Sequence, residues 1–154
     1  MDCGFEIKNI RESNGVVTFD VTEAVQPDVL IEDFEQMEVT TNKNLKQVQG
    51  NFARWNFTSA NVAAPGRTLC SGEHAAELVK MSIVAMDEPL MVHAFRIEYT
   101  GYNSSSAEAK FTLYSSVDGK AWNKVNNEYF VVPGKASATC IQDLTMTRPL
   151  YYRI

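Results

Sequence analysis

Two histidines, His74 and His93, and three cysteines, Cys3, Cys70 and Cys140, are the whole supply of imidazole and thiol in this 154-residue sequence. A zinc hydrolase sets two imidazoles one helical turn apart with a glutamate as base. The nearest string, Glu73-His74-Ala75-Ala76-Glu77, has one histidine and no partner at that spacing. His93 opens an alternating stretch and is expected to be structural. Cys70-Ser71-Gly72 beside His74 has the residue types of a thiol enzyme. A catalytic cysteine meets its base through the fold, however, so closeness along the chain adds little. No Gly-x-Ser-x-Gly elbow and no glycine-rich phosphate loop occurs. The expectation is a chain with no catalytic activity and no nucleotide cofactor.

Carboxylates and aromatic rings remain. Glu32, Asp33 and Glu35 lie within four residues, and Asp87-Glu88 form a second pair. A glycosidase needs two facing carboxylates, about 5–9.5 Å apart. Sequence neighbours on a strand point to opposite faces, so neither group qualifies by itself. A structural Ca²⁺ ion takes carboxylate and backbone oxygens in a flexible shell. Glu35 is therefore the first expected metal ligand and Asp33 the second, with solvated surface charge as the competing account. Among the rings, Trp55, Tyr99, Tyr102, Tyr114 and Trp122 could form a sugar platform, because a pyranose face stacks on an aromatic ring while polar groups read its hydroxyls. Trp55 and Tyr99 fall on apolar registers and belong to the core. Tyr114 falls on the register opposite Phe111 and Leu113. Tyr102 and Asn103 sit in the polar loop 101–106, so Tyr102, Asn103 and Tyr114 are the expected ligand-binding residues.

Strands must position these groups. Val, Ile and Thr together number 33 against 8 Leu, and β-branched residues fit pleated surfaces better than helices. Alternation at residues 5–8 and 17–21 around Asn14-Gly15 predicts a hairpin. From residue 22 to about 50 the pattern is irregular and reads as a linker leading to a second unit, with Val29-Leu30-Ile31 as a short apolar patch. Further strands are expected around residues 53–58, 75–84, 93–99, 110–115, 130–132, 140–146 and 151–154, although 75–84 would also admit a short helix. The turn at Val117-Asp118-Gly119-Lys120 carries a hairpin signal. Short strands separated by turn signals predict an all-β, antiparallel β-sandwich of jelly-roll type. The division expected is a hairpin and linker at 1–28 and a sandwich at 29–154.

Composition excludes two classes. With 14 Lys+Arg against 19 Asp+Glu the net charge is −5, and nucleic-acid binding requires concentrated positive charge. No apolar run approaches the roughly 18 residues of a membrane span. The start, Met1-Asp2-Cys3-Gly4, has neither a basic stretch nor an apolar segment, so no secretory leader is expected within the chain. Three cysteines allow at most one internal bridge. Cys70–Cys140 is the pair considered, against buried free thiols.

Three strings carry a resemblance: Trp-Asn-Phe-Thr-Ser-Ala-Asn-Val from Trp55, Leu-Cys-Ser-Gly from Leu69, and Phe-Thr-Leu-Tyr-Ser-Ser-Val-Asp-Gly-Lys-Ala-Trp from Phe111. Over residues 30–154 the chain resembles the galactose-binding-like jelly rolls, in particular the cleaved-adhesin and choice-of-anchor modules of secreted Bacteroidetes proteins. Their recurring Ser-x-Asp-Gly-x-x-Trp is matched at Ser116, Asp118, Gly119 and Trp122, and Tyr151-Tyr152-Arg153-Ile154 resembles their last strand. Residues 4–21 are similar to the hairpin that ends the protease region of immune-inhibitor-A-type metalloproteases. The resemblance implies an extracellular, cell-surface or periplasmic module of a larger protein. Glu35 would match a calcium-ligating carboxylate, and partners would be a glycan or glycoprotein and an upstream domain of the same polypeptide. The competing function is a structural module that packs against and stabilises that metalloprotease domain.

Overall fold

The computed structural model describes residues 5–23, 29–64, 71–101, 109–132, 134, 136–144 and 147–154. The chain divides into two units, Met1–Leu30 and Ile31–Ile154. In the first, β1 (Phe5–Ser13) and β2 (Val16–Glu23) pair antiparallel. Asn14 and Gly15 have φ of 53° and 75°. Two successive positive values make the tight turn whose twist matches that of paired strands. The carboxylate of Glu12 accepts the Gly15 N–H at 2.9 Å. Val17, Phe19 and Val21 alternate along β2 as the sequence predicts, and all three remain exposed.

The second unit contains β3 (Val48–Gln49), β4 (Arg54–Ala63), β5 (Ala75–Met86), β6 (Ala94–Thr100), β7 (Ala109–Phe111), β8 (Tyr114–Ser116), β9 (Asn123–Lys124), β10 (Phe130–Val132), β11 (Ser137–Asp143) and β12 (Tyr151–Arg153). No helix occurs among the described residues. Six strands form one antiparallel sheet in the order β3-β4-β5-β12-β8-β9, while β6 pairs with β11 and β7 with β10. Phe95 of β6 and Leu144, just past β11, pack against Met86 and Tyr152 of the large sheet, with the Phe95 and Tyr152 rings 4.8 Å apart and edge-on. The unit is thus an all-β sandwich whose core lies between facing sheets. On β6, Phe95, Ile97 and Tyr99 turn inward while Ala94, Arg96 and Glu98 are exposed, the alternation expected from sequence. Tyr99 stacks edge-on against Phe111.

Two stretches depart from regular strand alternation. The first is residues 75–86, which form one long strand interrupted by a bulge. Pairing runs Thr58↔Ile83 and then Ala60↔Leu78, so residues 79–82 loop out of the ladder. Ser59 and Met81 take φ of 52° and 65°, and the Ser82 hydroxyl closes the loop by accepting the Val79 N–H and donating to the Ser59 carbonyl, both at 2.6 Å. An inserted loop breaks the period of two, and that is why the sequence also admitted a helix. The second is residues 31–47, which the sequence places within the sandwich without a strand pattern and which cover the inner face of β4 and β5. Met37 is 2% exposed within a cluster of Phe57, Ala60, Val62 and Val84, against which Phe34 packs. Its ring meets Trp55 at 5.8 Å and Phe57 at 6.2 Å, edge-on in both cases.

Candidate functional site

Tyr152 points into the core, so its neighbours Tyr151 and Arg153 point out of the sandwich. The register aligns Arg153 with Tyr114 on β8, and Tyr114 with Lys124 on β9. One row across the outer face therefore reads cation, ring, cation. The Arg153 guanidinium lies 5.0 Å from the Tyr114 ring centroid and 4.4 Å from that of Trp122. Lys124 sits 4.4 Å over the Tyr129 ring and donates to its hydroxyl at 3.0 Å. Contacts of this kind strengthen as water is excluded. Burial lowers the pKa of Arg153, opposed by the nearby Tyr114 hydroxyl. The bond to Tyr129 raises the pKa of Lys124 and lowers that of Tyr129. Both cations stay charged at neutral pH.

The turn after β8 aims Trp122. Asp118 Oδ1 accepts the N–H groups of Lys120 at 2.8 Å and Ala121 at 2.9 Å, and Ser116 bonds the same oxygen at 3.0 Å. The Ser116 hydroxyl in turn accepts the Gly119 N–H at 2.9 Å. These donors hold the Asp118 carboxyl down at about 2, the Ala121 and Lys120 N–H groups contributing most. Gly119 has φ of 71° and rests against the Tyr151 ring. Positive φ favours glycine here, and the turn it permits returns the chain so that Trp122 falls on Arg153. The physical content of Ser-x-Asp-Gly-x-x-Trp is thus a carboxylate-capped turn that delivers an indole to a neighbouring strand.

The expected site residues fall in separate places. Tyr114 faces outward as its register predicts but is half-buried, because Arg153 lies against its ring. Tyr102 and Asn103 lie outside the described residues, as does Cys70. Cys140 carries a free, buried thiol, and burial pushes its pKa up, the opposite of what a nucleophile requires. Asp33 and Glu35 lie in the 31–37 segment and belong to a different network from Tyr114. Asp33 Oδ1 accepts from the Asn51 amide at 2.8 Å and from the Glu35 N–H at 3.1 Å. Glu35 Oε1 accepts the N–H groups of Glu73 at 2.6 Å and His74 at 2.9 Å, in a space that a Cβ on Gly72 would fill. Glu32 accepts from Phe34 N, Asn51 N and Trp55 Nε1. Glu32 and Glu35 are therefore half-buried, hydrogen-bonded staples, while Asp33 is exposed. Among the described residues no group of three or more His, Cys, Asp or Glu side chains is gathered as a metal site.

An open depression of about 560 Å³ is bordered by Val39, Thr40, Thr41, Asn61, Ala63 and Glu77. It has no aromatic ring, and the Asn61 amide donates away to the Thr40 carbonyl at 2.9 Å. The outer face of β12, β8 and β9 is the better-built surface. Arg153, Lys124 and Tyr129 were missed from sequence. The available signal was the alternation in Tyr151-Tyr152-Arg153-Ile154, which sends residues 151 and 153 to one side. No protein-family model, curated protein or solved structure matches the chain. No described helix is long and apolar enough to cross a membrane.

Proposed function

We propose that residues 31–154 form a non-catalytic accessory module, a jelly roll of the galactose-binding-like kind, that recognises glycan or glycoprotein outside the cell or at its surface. The observation that carries this reading is the outer row of Tyr114, Trp122, Arg153 and Lys124, where aromatic faces stand beside unspent hydrogen-bond donors. Stacking on rings with polar groups at the edge is how shallow protein surfaces hold sugars. Tyr102 and Asn103, outside the described residues, stay in the proposal as ligand contacts on the strength of the sequence alone. A glycan array on the purified chain tests it, repeated with Tyr114→Ala, Trp122→Ala and Tyr102→Ala. Binding weakened by Tyr114→Ala and Trp122→Ala supports the outer face, and a blank array removes it.

A second reading has its own observation. Val29 is 74% exposed and Ile31 65% exposed, and the hairpin leaves Val17, Phe19 and Val21 open. Such apolar groups suit a structural module that packs against an upstream metalloprotease domain. A blank array together with tight association with that domain would favour this role. A structural calcium at Glu35 and Asp33, which the family resemblance implies, would be taken up in exchange for solvent on their second oxygens, since the N–H donors bond Asp33 Oδ1 and Glu35 Oε1. A melting temperature that rises in millimolar calcium relative to EDTA would support that exchange, and an unchanged one removes calcium from the proposal.

A further inference from the structure

We propose that the Arg153–Tyr114–Lys124 row selects an anionic glycan, a sugar chain bearing carboxylate or sulfate groups; the inference rests on the recognition role proposed above and names its ligand class. The protein carries a net charge of −5, yet this strip gathers two cations without a carboxylate between them. Two other arginines of the sandwich are paired, Arg54 with Glu88 at 3.3 Å and Arg96 with Glu98 at 2.9 Å. Arg153 is held by rings instead, and among the described residues its guanidinium makes no hydrogen bond or ion pair. Asp118, the acid nearest Tyr114 in sequence, spends Oδ1 on its own turn. Asp87, just past β5, is taken by Gln47 at 2.9 Å and Asn56 at 2.7 Å.

The Arg153 guanidinium lies within 5.0 Å of two ring centroids, and a guanidinium held by rings still has a planar fork of donors that suits a carboxylate or sulfate bidentately. Lys124 is pre-positioned by Tyr129 on the far side of Tyr114, so less side-chain entropy is lost when it binds. Arg153 and Lys124 flank the same residue on adjacent strands, which sets their Cα atoms about 10 Å apart. That spacing fits two charged groups along one extended chain, with a pyranose ring over Tyr114 between them. An acidic peptide fits less well. Strand addition needs a free edge, and β9 offers only Asn123 and Lys124.

The test is calorimetric titration of the full chain with three probes of matched length: a polygalacturonate oligomer, a sulfated dextran and neutral dextran. Polyglutamate serves as the non-sugar anion. Expected are binding to one or both anionic glycans, weakening with added salt, and a loss of about tenfold or more in Arg153→Gln and again in Lys124→Gln. Arg153→Lys, which keeps the charge but not the fork, should fall between wild type and Arg153→Gln. If Arg153→Gln fails to fold, Lys124→Gln carries the test alone, because that side chain is exposed. Whichever anionic probe binds identifies carboxylate or sulfate as the group read. Neutral dextran bound as well as the anionic probes would overturn the anionic inference and leave the recognition role standing. Polyglutamate bound as tightly as polygalacturonate would overturn the sugar. Failure of every glycan, here and on the array, would overturn both.

Discussion

Replacing Glu32 by alanine will loosen the 31–37 segment from the sheet it covers. One carboxylate accepts three N–H groups: Phe34 and Asn51 from the backbone, each at 3.0 Å, and the Trp55 indole at 2.8 Å. A hydrogen bond to a charged group contributes about 1.5–3 kcal/mol net. The Asn51 bond is exposed and counts for little, and the other two share one side chain and do not simply add. The expected loss for Glu32→Ala is about 3 kcal/mol. Glu32→Gln keeps one acceptor oxygen and should lose about half as much. For a chain of this size, 3 kcal/mol lowers the melting temperature by about 6–12 °C. Urea unfolding followed by fluorescence in a Trp122→Phe background makes Trp55 the sole indole reporter. Gly50→Ala supplies an independent arm, because its new Cβ would fall on the Glu32 carboxylate. The two substitutions should be strongly non-additive, since alanine at residue 32 removes most of the clash. A loss below about 1 kcal/mol in Glu32→Ala with unchanged Trp55 emission would refute the staple.

Two further outcomes follow from single groups. The Tyr152 hydroxyl is buried with no partner among the described residues, so Tyr152→Phe should stabilise the protein by about 1 kcal/mol; destabilisation in a melt would mean the hydroxyl is bonded. Asp118 has its carboxyl depressed from an ordinary 3.8 to about 2 in the folded protein, so its stabilising effect is complete above pH ~4 and is lost as pH falls through about 2. Asp118→Asn, which keeps the acceptor oxygen but cannot ionise, should show a smaller stability drop between pH 5 and pH 2 than wild type. Equal drops in acid-unfolding curves would count against the turn.

The alternating strands were legible because each has one wet and one dry face. Phe95, Ile97 and Tyr99 turn inward as their spacing demands, and Ala53, Trp55 and Phe57 do the same ahead of the bulge. Residues 31–47 were not legible as part of the core. They lack regular hydrogen bonding, and what makes them pack is that their carboxylates accept N–H groups distant in sequence, as Glu32 does from Asn51 and Glu35 from His74. Nor did the pattern reveal the break between β7 and β8. Thr112 and Leu113 are both buried there, and strict alternation would have sent them to opposite sides.

Local sequence by itself determined the antiparallel all-β character, the Asn14-Gly15 hairpin and the Asp118-Gly119 turn, because strand period and positive-φ turns depend on neighbours along the chain. It also placed Tyr114 on the outward register. The stacking of Arg153 against Tyr114 and Trp122 was decided only by tertiary structure. Those residues lie 31 or more positions apart or on different strands, and their meeting depends on β12 entering the sheet between β5 and β8. Strand order is a global choice of which hydrophobic faces pair, and no period in a single segment encodes it.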